Sequence, residues 1–266
     1  MIIITHNLFI PQTTPNLPNS PLSLTTLLHT AKIYSMDPAH TCMLEKIHLW
    51  DDTIPRSGEL NMAIDQLLLE TIQEFPILRF YQWSSPSVSL GYFESLATAK
   101  ANFPEDNLQF IRRWTGGGIV DHRIDITYTL AIPRNHPWAR LPGAESYRII
   151  HLAVAKALNQ LGAKCNLTTQ NEGDGASTCF TNPVTHDIIT PTGEKLAGAG
   201  QKRTRYGLLH QGSVICNSDK AQWRNALVQS IAESSILLSP DTKFLELANQ
   251  LTHSRYSTAE WLNKRH

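Results

Sequence analysis

The stretch Arg112-Arg113-Trp114-Thr115-Gly116-Gly117-Gly118 most narrows the folds open to this chain. It follows an apolar run (Leu108, Phe110, Ile111). It leads into Ile124-Asp125-Ile126-Thr127-Tyr128-Thr129-Leu130, which alternates like a strand. The glycines therefore join two strands, not a strand to a helix. This excludes the dinucleotide and P-loop fingerprints, where a helix opens directly after the glycines. Three consecutive glycines cost backbone entropy. A chain tolerates them where the backbone must approach something closely or aim several N–H groups at one point. The plain alternative is a hairpin tip without a ligand. Arg112, Arg113, Thr115 and His122 flank the glycines and offer donors to an acyl carbonyl or a phosphate, which favours a site.

The rest of the chain supplies a frame of alternating strands and helices. Strands are expected at 46–50, 78–83, 87–92, 195–201 and 207–216. Leu60, Ile64, Leu67, Leu68 and Ile72 recur at helical spacing, so 59–75 is expected as a helix closed by Pro76. A short helix is expected at 97–103 and a longer one at 146–161, where Gly162 is the stop signal. Residues 133–142 read as a loop, 219–237 and 244–251 as helical, and 259–264 as a last helix opened by Thr258. Pro191-Thr192-Gly193-Glu194 is a hairpin-type turn. The expected architecture is one mixed α/β domain, a largely antiparallel sheet flanked by helices, spanning 43–266. Residues 1–42 carry Pro11, Pro15, Pro18 and Pro21 among uncharged polar residues. They read as a disordered extension or a mis-annotated start, with Met36 or Met43 as alternative beginnings.

Composition removes several function classes. Lys+Arg and Asp+Glu both number 23, so no global field recruits nucleic acid or an anionic membrane. No apolar run approaches the length of a membrane span, and 2–6 lacks the character of a signal peptide. Cys42, Cys165, Cys179 and Cys216 form no C-x-x-C pair, so neither zinc nor a disulfide framework is indicated. Free thiols suit a cytoplasmic setting.

In this order, the motifs resemble the lipoate–protein ligase and octanoyltransferase family, which is related to biotin–protein ligases. The likeness runs through Asn61-Met62-Ala63-Ile64-Asp65, Arg79-Phe80-Tyr81-Gln82-Trp83 and Ser89-Leu90-Gly91-Tyr92. It continues through the glycine stretch to Val120 and His122, then Lys195-Leu196-x-Gly198 with Gln201, and Gly212-Ser213. The family holds two activities. ATP-dependent ligases carry an Arg-Asn-Asp-like segment where this chain has Cys179-Phe180-Thr181-Asn182-Pro183. Ligase-like octanoyltransferases carry Cys-Phe-x-x-Pro there, with an acidic residue eight positions after the cysteine. Cys179, Phe180, Pro183 and Asp187 fit that pattern. The end of the chain, after Trp261, resembles the transferases and leaves no room for the ligases' accessory domain. Three features depart from the transferase pattern: a third glycine at 118, Ala199-Gly200 before Gln201, and the order His210-Gln211.

The resemblance implies an octanoyltransferase that draws on octanoyl-acyl carrier protein. The acceptor would be a lysine of a lipoyl domain or of glycine cleavage H protein. Cys179 would be the acyl-carrying nucleophile and Lys195 the group that activates it. Arg113, Thr115, Gly116, Gly117, Gly118, His122 and Gly198 would bind substrate, with the glycine N–H groups facing the developing oxyanion. No cofactor is expected, and a monomer is. An ATP-dependent lipoate–protein ligase, which alone would need ATP and Mg, and a non-catalytic lipoyl-domain-binding protein remain the alternatives. From the residues alone, Cys179 beside Phe180 reads first as plain core, and Lys195 as a lysine after a turn that could be solvated.

Overall fold

The structure, a computed structural model, describes residues 43–72, 74–169 and 184–264. The expected extension at 1–42 and the segment holding Cys179 lie outside the described residues. The chain enters through β1 (Leu44–Asp51) and turns into α1 (Gly58–Thr71), where the Ser57 hydroxyl accepts from the Leu60 N–H. The helix ends before 75 because Ile72 is already extended, turning the chain toward β2 (Ile77–Tyr81). Next come β3 (Ser87–Leu90), α2 (Leu96–Asn102) and β4 (Gln109–Arg112), then the glycine loop and β5 (Ile119–Asp121). After β6 (Ile126–Pro133), the expected loop contains a short helix, α3 (Pro137–Arg140), nucleated by Pro137 in its first turn and capped by His136. Then follow α4 (Gly143–Gln160), β7 (Asn166–Leu167), β8 (Ile188–Ile189), β9 (Lys195–Thr204) and β10 (Gly207–Val214). The chain closes with α5 (Lys220–Ile231), β11 (Ala232–Leu237), α6 (Thr242–Leu251), a π-helical turn (Thr252–Tyr256) and α7 (Ala259–Leu262).

Eight strands form one sheet in the order β11-β1-β2-β6-β10-β9-β8-β7. Only the β11–β1 and β1–β2 pairs are parallel, so the sheet is mixed and largely antiparallel, as expected. Its two faces follow from strand alternation. Leu78, Phe80, Tyr128, Leu130 and Leu208 pack with Ile150, Val154, Trp223 and Leu227 of α4 and α5. Ile77, Ala131 and Leu209 point the other way, onto Ile64 and Leu68 of α1 and Phe244 of α6.

Two expectations need correction. Residues 232–237, expected as helix, form β11, which runs parallel to β1 with Leu44 opposite Ala232 and Leu49 opposite Leu237. The expected strand–glycine–strand unit is also more complex. β5 intervenes before β6, and β4, β3 and β5 make a separate three-stranded sheet in the order β4-β3-β5. This small sheet carries the glycine loop.

Candidate functional site

A narrow cavity opens between the two sheets, on the α1 side of the large one. Tyr81, Thr127, Gln211, Gly212, Ser213, Gly198, Ala199 and Gly200 line it from the large sheet, with Trp83 just beyond β2. Arg113, Val120 and His122 close it from the small one, and Lys195 lies at one end. Tyr81, Trp83 and Val120 thus give the cavity apolar wall, whereas Phe80 packs on the opposite face of the sheet.

Lys195 is not a solvated lysine. It is 7% exposed, and its ammonium lies 2.6 Å from Oδ2 of the fully buried Asp187. The other carboxylate oxygen accepts from the Tyr147 hydroxyl at 2.5 Å, and that hydroxyl accepts from the Ala199 N–H at 2.9 Å. The Val184 N–H also donates to Asp187 Oδ2, at 2.8 Å. The carboxylate is held on several sides, so the ammonium is fixed on the cavity wall. Gly198 makes room for it: an added Cβ would sit 2.6 Å from Lys195 Cε and 2.7 Å from Nζ.

The glycine loop is held by arginines through carbonyls. Arg113 Nη2 donates to the carbonyls of Gly116 and Gly118 at 3.3 and 2.9 Å, while Nη1 donates to Ser89 Oγ at 2.6 Å. Gly117 has φ +90°, the left-handed region open to glycine. Its carbonyl lies where a Cβ on Gly91 would be, only 1.7 Å away, so the loop lies directly on Gly91. The Gly116 N–H is committed to the Gln201 carbonyl at 3.3 Å and is not aimed into the cavity. Thr115 is buried behind the wall, where its hydroxyl donates to Gln211 Oε1 at 2.7 Å. Gln211 Nε2 in turn donates to Asp65 at 2.7 Å, which ties the loop to α1. Arg112 points away from the cavity. It donates to the carbonyls of Tyr92, Glu94, Trp261 and Leu262 at 2.7–3.1 Å. Of the residues expected to bind substrate, Arg113, His122 and Gly198 line the cavity, whereas Thr115, Gly116, Gly117 and Gly118 frame it from behind.

His122 is locked from both ring nitrogens. Because Arg113 donates to Ser89 Oγ, the serine proton points to His122 Nε2 at 2.6 Å, and the other ring N–H donates to Asp125 Oδ2 at 2.8 Å. The ring stacks on Trp83 at 4.0 Å. Ser89, His122 and Asp125 are the residue types of a hydrolase triad, but Ser89 is fully buried and is not part of the cavity wall. The arrangement fixes His122 as a wall and presents no serine nucleophile. His210 also lies outside the wall, between Tyr128 at 3.0 Å and Gln201 at 3.1 Å.

Residues 57–249 match the family model described as "Lipoyl protein ligase A/B catalytic domain". The chain belongs to this family. Curated relatives include Octanoyltransferase LipM of Brevibacillus brevis, 32% identical over 61% of this chain and 63% of the relative. The LipM of Carboxydothermus hydrogenoformans is 34% identical over 61% and 62%. The chain thus spans less than two thirds of these relatives' own length. Among solved structures, lipoate-protein ligase A bound with ATP superposes with a TM-score of 0.65 at 23% identity, covering 82% of this chain and 98% of that one. A bi-partite lipoate protein ligase from Thermoplasma acidophilum gives 0.63 at 22%, covering 82% and 96%. These likenesses confirm the expected lipoate-ligase fold.

Three residues that support the cavity wall were not marked by the sequence patterns. Tyr147 was hidden in an amphipathic helix, and Asp125 in a strand pattern. Gln211 was noted only as part of an altered order. A buried-side polar residue inside an apolar period was the available signal for Tyr147 and Asp125.

Proposed function

We propose that this chain is an octanoyltransferase of protein lipoylation. It would move an octanoyl group from octanoyl-acyl carrier protein through Cys179 to a lysine of a lipoyl domain or glycine cleavage H protein. The observation that carries the reading is the buried Lys195–Asp187 pair on the wall of a cavity with aromatic sides. The relatives named octanoyltransferase support it.

In the first step the Cys179 thiolate attacks the thioester carbonyl. A C–S bond forms to Cys179, the bond to the carrier's sulfur breaks, and the departing thiolate takes up the proton that Cys179 gave up. The neutral acceptor amine then attacks acyl-Cys179. A C–N bond forms, the C–S bond breaks, and the amine proton passes to the sulfur. The donor is already activated, so no ATP, metal or other cofactor takes part. The Lys195 ammonium stabilises the thiolate and the developing oxyanion. An eight-carbon chain in the cavity contributes about 5 kcal/mol of burial at roughly 0.8 kcal/mol per methylene. A cytoplasmic setting suits an acyl carrier donor and free thiols. Among the described residues no helix is long and apolar enough to cross a membrane.

Incubation with octanoyl-acyl carrier protein should give a covalent octanoyl adduct by intact mass, absent in Cys179→Ala. An adduct that survives this substitution overturns the mechanism. The solved ligases that share the fold favour a second reading, ATP-dependent lipoate ligation. Lipoate-dependent release of pyrophosphate from ATP, without an acyl-enzyme, would establish it instead.

A further inference from the structure

On the outer flank of the glycine loop, away from the cavity, three cations converge on three aromatic rings. Lys202 Nζ lies 5.0 Å from the Tyr92 ring and 5.8 Å from Trp114. Arg255 lies 4.0 Å from Trp261 and 5.6 Å from Trp114. Lys264 lies 4.8 Å from Tyr92 and 5.4 Å from Trp261, and donates to the Tyr92 hydroxyl at 2.6 Å. Among the described residues, none of the three has a carboxylate within ion-pair distance. Glu94 and Glu260 border the adjoining grooves without pairing to them. In a chain with 23 residues of each sign, this is a local excess of positive charge.

The patch is tied to the loop. The Tyr92 N–H donates to the Thr115 carbonyl at 2.8 Å, and the Trp261 indole donates to the Arg112 carbonyl at 3.0 Å. Lys202 follows Gln201, whose carbonyl holds Gly116. A group seated on these cations is therefore positioned against the loop that closes the cavity. The three cations are half-buried, and like charges gathered without counter-charges repel one another, which the cation–π contacts, each on the order of 1 kcal/mol, offset only in part. Aromatics with Arg are the composition of interface hot spots.

We infer that this patch docks the acidic carrier protein that delivers the acyl thioester. The inference rests on the transfer reading above. Charge chemistry distinguishes donor from acceptor. The donor brings the acyl group on an arm with an anionic phosphodiester, which three cations attract. The acceptor brings an unmodified lysine and no such phosphodiester.

The test is direct binding of octanoyl-acyl carrier protein and of an isolated lipoyl domain to the full chain, at low and high salt. We expect Lys202→Glu/Lys264→Glu to weaken carrier binding about tenfold or more and to flatten its salt dependence. Lipoyl-domain binding should move less than twofold. Lys202→Gln/Lys264→Gln, checked by thermal unfolding, should show a smaller shift in the same direction. Unchanged carrier affinity in both variants, or an equal loss for both partners, overturns the docking surface. A wild-type chain that binds the carrier through the patch yet forms no acyl-enzyme overturns the transfer reading and leaves the docking surface standing.

Discussion

At Gly198 the absence of a side chain sets the position of an ammonium. An alanine there would displace the flexible end of Lys195, with no backbone in the way. We expect Gly198→Ala to destabilise the fold by about 1–3 kcal/mol, because the added methyl crowds the Lys195 end that Asp187 holds. Acyl-enzyme formation should fall at least tenfold, because the ammonium leaves the carbonyl. Stopped-flow acylation beside urea denaturation checks both halves. The ion pair behaves differently. Asp187→Asn leaves a buried ammonium without its counter-charge, a defect that typically costs about 3–5 kcal/mol. Adding Lys195→Met removes that defect, so the double variant should be more stable than Asp187→Asn alone, although inactive. A double variant less stable than the single would show that the pair is not what holds this corner. Lys195 was visible in the sequence only as a lysine in a family motif. Its burial was not, because its partner lies across the β8–β9 turn and spacing alone does not show where a side chain points.

Among the elements, the strands and helices that carry strong periods were legible, and the exceptions have a common cause. Residues 232–237 follow α5 without a glycine or proline to stop the helix, and Ile231 still fits the apolar period. What ends the helix is the open edge of β1, whose backbone groups take β11 as a parallel partner. Tertiary context thus overrides a weak local preference. The separate small sheet was equally hidden, since β5 is only three residues long and its pairing with β3 is non-local. The role of Arg112 belongs to this scale. It joins the C-terminal α7 to the segment after β3 through the carbonyls of Tyr92, Glu94 and Leu262. Lysine keeps the charge but cannot reach several carbonyls with one planar fork. Arg112→Lys should therefore cost about 3 kcal/mol, from two or more charge-assisted bonds at roughly 1.5 kcal/mol each. Hydrogen exchange should rise first in 259–264. Uniform exchange across the chain would instead point to global unfolding and against a local staple.

The whole molecule should lose stability in mild acid, and the cause lies in two histidines enclosed between α4 and the sheet. His151 donates from Nδ1 to the His186 carbonyl at 2.7 Å, and its Nε2 is buried without a hydrogen-bond partner. Protonation would bury an unmet donor, and desolvation pushes its pKa down to about 4. His210 is held well below the usual histidine value, first by burial and then by the neighbouring His151. Its Nδ1 accepts from the Gln201 amide, so a second proton has no acceptor to face. In the unfolded chain both rings protonate near pH 6.5. Between about pH 6.5 and pH 4 the unfolded state thus binds more protons than the folded one, and stability falls as pH falls. Above pH 7 both states are neutral at these positions and the effect vanishes. For His151 alone, the loss between pH 7.5 and pH 5 is about 2 kcal/mol, and His210 adds to it. Urea denaturation at the two pH values should show this drop, and His151→Leu should reduce it whatever its effect on absolute stability. Equal stability at both pH values would mean that these rings take up protons without unfolding, and an undiminished drop in His151→Leu would assign the acid sensitivity to other groups.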